Sequence, residues 1–342
     1  GYNHVYHYES DGTLVRPVTA GEWTVRRLME VDEEAGTLMF ASTQDGATDS
    51  NVYRVGLDGA GLARLTQGRG SHSLSWRPDG AYFLDRVSSL ESPEEVRLCA
   101  ADGTVVKVLD TATIPAEEAG WPVARWEVHE IAARDGTPLD VALLKPVGFD
   151  PAKTYPVWLP TYSGPDAPSV RNRWNSSTWY QFLAQQGVIV LQVNVRTASN
   201  KGMWAIGQCY KRLGVPELAD LEDAVDWLTA NPWADAERVG ITGYSYGGFM
   251  SAYALLNSEK FALGVAGGGV YDWAMYDTIY TERYMSTPQL NPEGYAGTSC
   301  LNKAENLHGF LHMYHGVMDD NVHFQNMIQL GYALQKAGQQ DW

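Results

Sequence analysis

At 342 residues the chain exceeds the length at which one core ordinarily keeps growing, so two domains are expected. Apolar content of 44% and charged content of 19% describe an ordinary globular protein and exclude a disordered one. The balance of 25 basic against 41 acidic residues, a formal charge of −16, argues against nucleic acid and against anionic membrane surfaces as partners. Cys99, Cys209 and Cys300 stand far apart with no C-x-x-C pair, so neither a disulfide framework nor a thiolate metal site is expected, and no cofactor. There is no run of 18 apolar residues, and Gly1-Tyr2-Asn3-His4-Val5-Tyr6 lacks the regions of a signal peptide. The chain reads as soluble, with its true start expected further upstream.

Residues 1 to about 110 repeat themselves. Val5-Tyr6 with Asp11-Gly12 recurs as Val52-Tyr53 with Asp58-Gly59, and in outline as Val96 with Asp102-Gly103, the Asp-Gly pairs standing 47 and 44 positions apart. A second element, Asp32 to Phe40 around Gly36, recurs as Asp79 to Leu84 around Gly80. Asp-Gly between alternating apolar runs is a strong hairpin signal, because both turn positions tolerate positive φ. Short strands repeating in the mid-forties are the signature of propeller blades, against the plainer alternative of unrelated hairpins. Only about two and a half blades fit here, whereas a closed propeller has roughly four to eight. Residues 1–122 are therefore expected to be the incomplete C-terminal blades of a β-propeller.

A connector is expected near Glu117 to Val123, with Pro115 and Pro122 close by. Beyond it, Pro156-Val157-Trp158-Leu159, Val188-Ile189-Val190-Leu191 and Phe310-Leu311-His312-Met313-Tyr314 read as buried parallel strands. Helical spacing alternates with them: Leu218, Leu221, Ala224, Val225 and Leu228 after Pro216, then Phe324, Met327, Ile328, Leu330, Ala333 and Leu334. The spacing predicts an α/β domain over residues 123–342 with a mostly parallel sheet, helices on both faces, and its chemistry on the loops at the strands' carboxyl ends.

Gly243-Tyr244-Ser245-Tyr246-Gly247-Gly248 follows a β-branched run, Val239-Gly240-Ile241-Thr242, and precedes a helix-compatible one. Strand, sharp turn and helix are the context a nucleophile elbow requires, and bulky residues beside the Ser would collide with the neighbouring strand and helix. The alternative is a tight turn into a helix. In α/β-hydrolases the acid and the base follow in the order Ser, acid, His. Asp319 and Asp320 leave an apolar strand, where the acid belongs; either Asp could equally cap the next helix. Only His323 follows, four residues on and too local to reach another strand's elbow, while His308, His312 and His315 precede the acid. The catalytic His is therefore expected beyond Trp342. Tyr162, in Tyr162-Ser163-Gly164-Pro165 after the first strand of this half, stands where an oxyanion donor is commonly found, or is a rim tyrosine. The aromatic run from Val270 through Trp273, Tyr276 and Tyr280 to Tyr284 is dense enough to line an apolar pocket or simply to pack.

Together these motifs resemble the prolyl oligopeptidase family of serine peptidases, and within it the dipeptidyl peptidase IV branch, over essentially the whole chain. The resemblance implies an α/β-hydrolase domain preceded by propeller blades, Ser245 as nucleophile, Asp319 orienting the His, and an oxyanion hole made by the Tyr162 hydroxyl and the Tyr246 amide. It also implies a pocket for the penultimate substrate residue formed by Tyr246, Val270, Trp273, Tyr276, Tyr280 and Val322, with Asn321 hydrogen-bonding a substrate carbonyl. Further implications are peptide substrates with a free amino terminus, a homodimer formed through the hydrolase domain, and a periplasmic, secreted or cell-surface location. A flat aromatic slot suits Pro, whose ring buries apolar area and carries no N–H needing a partner.

The chain departs from the family pattern at Asn194-Val195-Arg196-Thr197-Ala198-Ser199, where Asp-x-Arg-Gly-Ser/Thr is usual, so a loop near the site is expected to differ. The acidic pair that holds a substrate amine in this branch is expected before Gly1. The activity expected is release of N-terminal dipeptides with Pro or Ala in the second position. An oligopeptidase or acylaminoacyl peptidase of the same family, a carboxylesterase, and a non-catalytic binding protein on the same scaffold are the alternatives.

Overall fold

The computed structural model describes residues 1–114 and 120–342; of the expected connector, Glu117, Glu118 and Ala119 lie outside them, as does Pro115. The chain divides into two compact units. One comprises Gly1–Arg125 with two later segments, Arg171–Ser177 and Asn200–Trp204; the other comprises Trp126–Val170, Thr178–Ser199 and Ala205–Trp342.

The first unit is built of antiparallel sheets. A hairpin of β1 (Tyr6–Tyr8) and β2 (Leu14–Pro17) precedes a four-stranded meander, β3 (Val25–Asp32), β4 (Thr37–Ser42), β5 (Asn51–Gly56) and β6 (Ala63–Arg64). A second meander follows: β7 (Ser71–Trp76), β8 (Tyr82–Ser88), β9 (Glu95–Ala100) and β10 (Val105–Thr111). The three Asp-Gly pairs occupy equivalent turns, β1–β2, β5–β6 and β9–β10. Gly12, Gly59 and Gly103 have φ of 87°, 86° and 90°. The preceding Asp accepts the N–H two residues on in each case, at 2.8, 2.9 and 2.9 Å. The β1–β2 hairpin thus corresponds to the last two strands of each meander, which is the blade repeat read from the sequence.

Strand β4 shows why the blades stack. Leu38 and Phe40 point into one cluster with Val18, Tyr53 and Val55, while Met39 and Ala41 point into another with Val52, Leu65, Phe83 and Cys99. Side chains of period two with both faces buried require a packed neighbour on each side.

The second unit holds a seven-stranded sheet in the order β11-β12-β14-β13-β15-β16-β17. Its strands are β11 (Trp126–Ala132), β12 (Pro138–Leu144), β13 (Tyr155–Pro160), β14 (Ile189–Asn194), β15 (Ala234–Tyr244), β16 (Leu263–Gly267) and β17 (Phe310–Tyr314). β11, β12 and β14 pair antiparallel; β14, β13, β15, β16 and β17 run parallel. The helices are α1 (Thr178–Gln185), α2 (Met203–Ile206), α3 (Val215–Thr229), α4 (Tyr246–Asn257), α5 (Thr278–Met285), α6 (Pro292–Thr298) and α7 (Gln325–Lys336). Three apolar runs become β13, β14 and β17 as expected. The spacing after Pro216 becomes α3, whose Leu218, Leu221, Ala224, Val225 and Leu228 enter the core.

From β13 the chain moves outward to β14, then returns to lay β15 on the other flank of β13. The strand order therefore reverses between β13 and β15. In open parallel sheets the crevice outside the carboxyl ends at such a reversal is where ligands bind. Among the described residues, no helix is long and apolar enough to cross a membrane. No group of three or more His, Cys, Asp or Glu there could hold a metal ion.

Candidate active site

Ser245 stands alone between the end of β15 and the start of α4, with φ 59° and ψ −118°. A non-glycine residue in such a region costs about 1–3 kcal/mol and persists only where its surroundings impose it. The imposition is visible. The Ser245 N–H donates to the Gly267 carbonyl of β16 at 2.9 Å, and the Phe249 N–H donates to the Ser245 carbonyl at 3.0 Å. A Cβ on Gly243 or Gly247 would lie 2.3 or 2.2 Å from the Thr161 carbonyl oxygen, and one on Gly248 would lie 2.2 Å from that of Gly267. The turn is therefore wedged between the ends of β13 and β16, and only glycine fits at these three positions. The Ser245 side chain is left half-buried at the carboxyl edge of the sheet. Tyr246 opens α4, so its N–H is one of the first-turn donors that no intrahelical carbonyl can satisfy.

Tyr162 follows β13, across the strand-order reversal from Ser245. Burial raises its phenol above the ordinary value, only partly opposed by the nearby Ser245 side chain, so the group is a neutral hydroxyl at physiological pH. Its ring lies on Gly164, where a Cβ would come within 2.5 Å of it, which is why Gly stands in Tyr162-Ser163-Gly164-Pro165. The chain beyond is tied down by Asn194: its Oδ1 accepts the amides of Ser169 and Val170 at 2.8 and 2.7 Å, and its Nδ2 donates to the Val170 carbonyl at 2.8 Å.

The loop after β17 presents Asp319. Its Oδ1 accepts the backbone amides of Val322 and Asn321 at 2.9 and 3.1 Å, and its Oδ2 accepts the Tyr244 hydroxyl at 3.4 Å. Burial alone would raise this carboxyl, but the Val322 and Asn321 amides, the His315 ring and the Tyr244 hydroxyl bring it below the usual carboxylate range. Asp319 is thus ionised at neutral pH, and Tyr244 links it to the elbow strand. Asp320 is exposed, and α7 begins only at Gln325, so Asp320 does not cap it. His323 Nδ1 instead accepts the Gln325 amide at 3.2 Å. His315 puts Nε2 2.7 Å from the Val322 carbonyl and 3.4 Å from Asp319 Oδ2, bracing the loop from beneath. His308 precedes β17, at the amino ends of the strands, opposite the edge that carries Ser245.

Between these groups lies an aromatic ridge. Tyr246 meets Tyr162 at 6.1 Å and Trp273 at 5.5 Å between ring centroids. Trp273 meets Tyr276 at 6.2 Å and stacks on Tyr280 at 6.1 Å. Two aspartates set the ridge: Asp272 caps the short turn at Trp273, and Asp277 accepts the Tyr280 amide at the start of α5. The Tyr276 hydroxyl donates to Asn321 Oδ1 at 3.2 Å, joining the ridge to the acid loop. Val270 and Val322 are buried in the same core. Every residue singled out from the sequence for nucleophile, acid, oxyanion contact or pocket thus gathers at one end of the sheet.

Four residues of this end have no role assigned from sequence: Tyr244, Thr197, Glu217 and His315. The altered loop at Asn194 to Ser199 forms a short turn with Thr197 and Ser199 fully buried. Its Arg196 guanidinium pairs with Asp220 of α3 at 2.6 Å and with Asp135 at 2.6 Å. The Asp220 and Asp135 carboxylates hold that guanidinium more firmly protonated than usual.

Residues 174–341 match the prolyl oligopeptidase family, and residues 1–94 match the dipeptidyl peptidase IV (DPP IV) N-terminal region. The chain is 31% identical over 359 residues to dipeptidyl peptidase 4 of Trichophyton equinum and 32% identical over 355 residues to that of Arthroderma otae, covering 99% of this chain and 45% of the relative in each case. The crystal structure of Porphyromonas gingivalis dipeptidyl peptidase 4 matches with a TM-score of 0.93 at 32% identity, over 99% of this chain and 48% of that one. The chain spans less than half the length of the curated relatives it matches. By these matches, the chain belongs to the prolyl oligopeptidase family, on its dipeptidyl peptidase IV branch.

Proposed function

We propose that the protein carrying these residues is a serine exopeptidase that releases dipeptides from peptides with a free amino terminus, preferring Pro or Ala in the second position. The observation that carries this is the pinned conformation of Ser245 at the carboxyl edge of the sheet, with Tyr162 across the strand-order reversal from it. In this mechanism the Ser245 Oγ attacks the scissile carbonyl carbon while its proton passes to a histidine held by the ionised Asp319. That histidine is assigned to sequence outside these residues. The oxyanion is met by the Tyr162 hydroxyl and the Tyr246 N–H. Collapse breaks the C–N bond, the histidine returns the proton to the leaving amine, and water then cleaves the acyl ester by the same steps in reverse.

Tyr246, Val270, Trp273, Tyr276, Tyr280 and Val322 form the slot for the penultimate side chain, and Asn321 holds a substrate carbonyl. A Pro ring entering the slot removes apolar area from water without stranding a donor. The relatives above are dipeptidyl peptidase 4 proteins, and the exopeptidase reading of this chain rests on its similarity to them together with its own elbow and ridge.

The test compares a dipeptidyl-proline anilide with its amino-blocked counterpart on the whole protein. Cleavage of the free substrate alone is expected. Equal cleavage of both would make the enzyme an oligopeptidase or acylaminoacyl peptidase, and failure of a fluorophosphonate to label Ser245 would make it a binding protein.

A further inference from the structure

Beneath Tyr246 lies a carboxyl group that the mechanism above does not use. Glu217, in the first turn of α3, is 0% exposed. Its Oε2 accepts the Gly214 N–H at 2.9 Å, capping the start of the helix. Capping requires only that oxygen and is ordinarily done at the surface. The other oxygen, Oε1, accepts the Thr197 hydroxyl at 3.0 Å and faces the Tyr246 hydroxyl at 3.4 Å. Thr197 stands where the family pattern has glycine, so this chain supplies a donor to Glu217 that the usual pattern lacks.

Resting on the exopeptidase mechanism, we propose that Glu217 is a positioning residue: with Thr197 it anchors the Tyr246 phenol, and so fixes the ring between the oxyanion contact and the slot for the penultimate side chain. Tyr246 has both duties on one residue, the amide toward the oxyanion and the ring toward the slot. Its ring is wedged among Tyr162, Phe249 and Trp273, and the phenol oxygen is its only polar tether.

Burial raises the Glu217 carboxyl to about 7, against the bonds from its own backbone, Thr197 and Gly214. The titratable groups facing it are Asp220 on the same helix, Tyr246 and Tyr253 of α4, Tyr280 of α5, and Cys209. Burial holds the three phenols and the thiol above their ordinary values, so they stay neutral near pH 7, and Asp220 is occupied by Arg196. Glu217 is then the group of this cluster that titrates near neutrality. Above that point the carboxylate only accepts, and can hold Gly214, Thr197 and Tyr246 together; below it the carboxyl must place its own proton toward one of them. The anchor tightens as pH rises through 7.

The test measures kcat/KM on the whole protein, from about pH 6 to 8.5, for two dipeptidyl anilides differing only in Pro or Ala at the second position. Their ratio cancels the titrations of the catalytic histidine and the substrate amine, which both substrates share. The Pro/Ala ratio is expected to rise about threefold or more through pH 7 in the wild type and to be flat in Glu217→Gln. Thr197→Val keeps the volume and removes one donor. It is expected to lower the ratio about three- to tenfold with little change in Tm, the range of one modest hydrogen bond. A ratio independent of pH in the wild type, or an equal fall on both substrates, would leave Glu217 as a helix cap and overturn the proposal.

If neither anilide is cleaved, the exopeptidase mechanism has failed, and Glu217 is judged on Ser245 labelling by a compact fluorophosphonate. Slower labelling in Thr197→Val at unchanged Tm supports the anchor, and wild-type labelling in both variants sinks it.

Discussion

Tyr162 stands at the carboxyl end of β13, across the strand-order reversal from Ser245. In the proposed mechanism its hydroxyl meets the oxygen on which charge develops as Oγ attacks, so its contribution falls on the transition state and not on substrate binding. Tyr162→Phe keeps the ring on Gly164 and against Tyr246 and removes only the hydroxyl. The expected loss is about 3–4 kcal/mol of transition-state stabilisation, a fall in kcat of about 10²- to 10³-fold with KM nearly unchanged. Steady-state kinetics on the whole protein check this, and a near-normal kcat would remove Tyr162 from the mechanism. Ser245, Tyr162 and Asp319 are legible in sequence because each needs a particular residue type in a particular local context. Glu217 is not: an acidic residue early in a helix reads as an exposed cap, and nothing in a 3.6-residue period says that this one is sealed under an aromatic ring.

At the scale of elements, identical turns turn out to be unequal. Asp11-Gly12 and Asp102-Gly103 have the same sequence, the same side-chain bond and nearly the same positive φ. Yet a Cβ on Gly12 would meet nothing within 4 Å, while one on Gly103 would lie 2.3 Å from the Leu65 carbonyl oxygen. Gly12→Ala is expected to cost about 1–2 kcal/mol, the price of a left-handed L-residue. Gly103→Ala must in addition displace backbone, and is expected to cost clearly more, above the ~3 kcal/mol that marks severe substitutions. Urea midpoints compare the two, and equal shifts would contradict the close approach at Gly103. The blade repeat itself was readable because strand period and Asp-Gly turns are local. The neighbour that each turn meets is not local, and the repeat conceals it.

Across the whole molecule, the division into units does not follow the chain. Asn172 lies at the midpoint of the sequence, between segments of the second unit, yet its amide donates to Thr48, its Nδ2 to Asp49, and its Oδ1 and carbonyl accept from Leu90 and Ser71, all within the first unit. Asn172→Ala deletes two of these bonds, leaving the buried Asp49 to Arg69 alone and the Leu90 amide without its acceptor. A loss of about 1–3 kcal/mol from the first unit is expected, read by hydrogen exchange at β5 and β7. Unchanged protection there would show that Arg171–Ser177 is dispensable to that unit. Composition, strand and helix period, Asp-Gly turns and the Gly-x-Ser-x-Gly context determined the two-part architecture and the place of the strained turn at Ser245, because each is written within a dozen residues. Only the tertiary structure decided that Arg171–Ser177 and Asn200–Trp204 return to the blades. It alone decided that Tyr244 joins the acid loop to the elbow, and that Glu217 and Thr197 meet under Tyr246. Such contacts join residues tens to more than a hundred positions apart, and burial among neighbours brought in by the fold, not local propensity, gives them their roles.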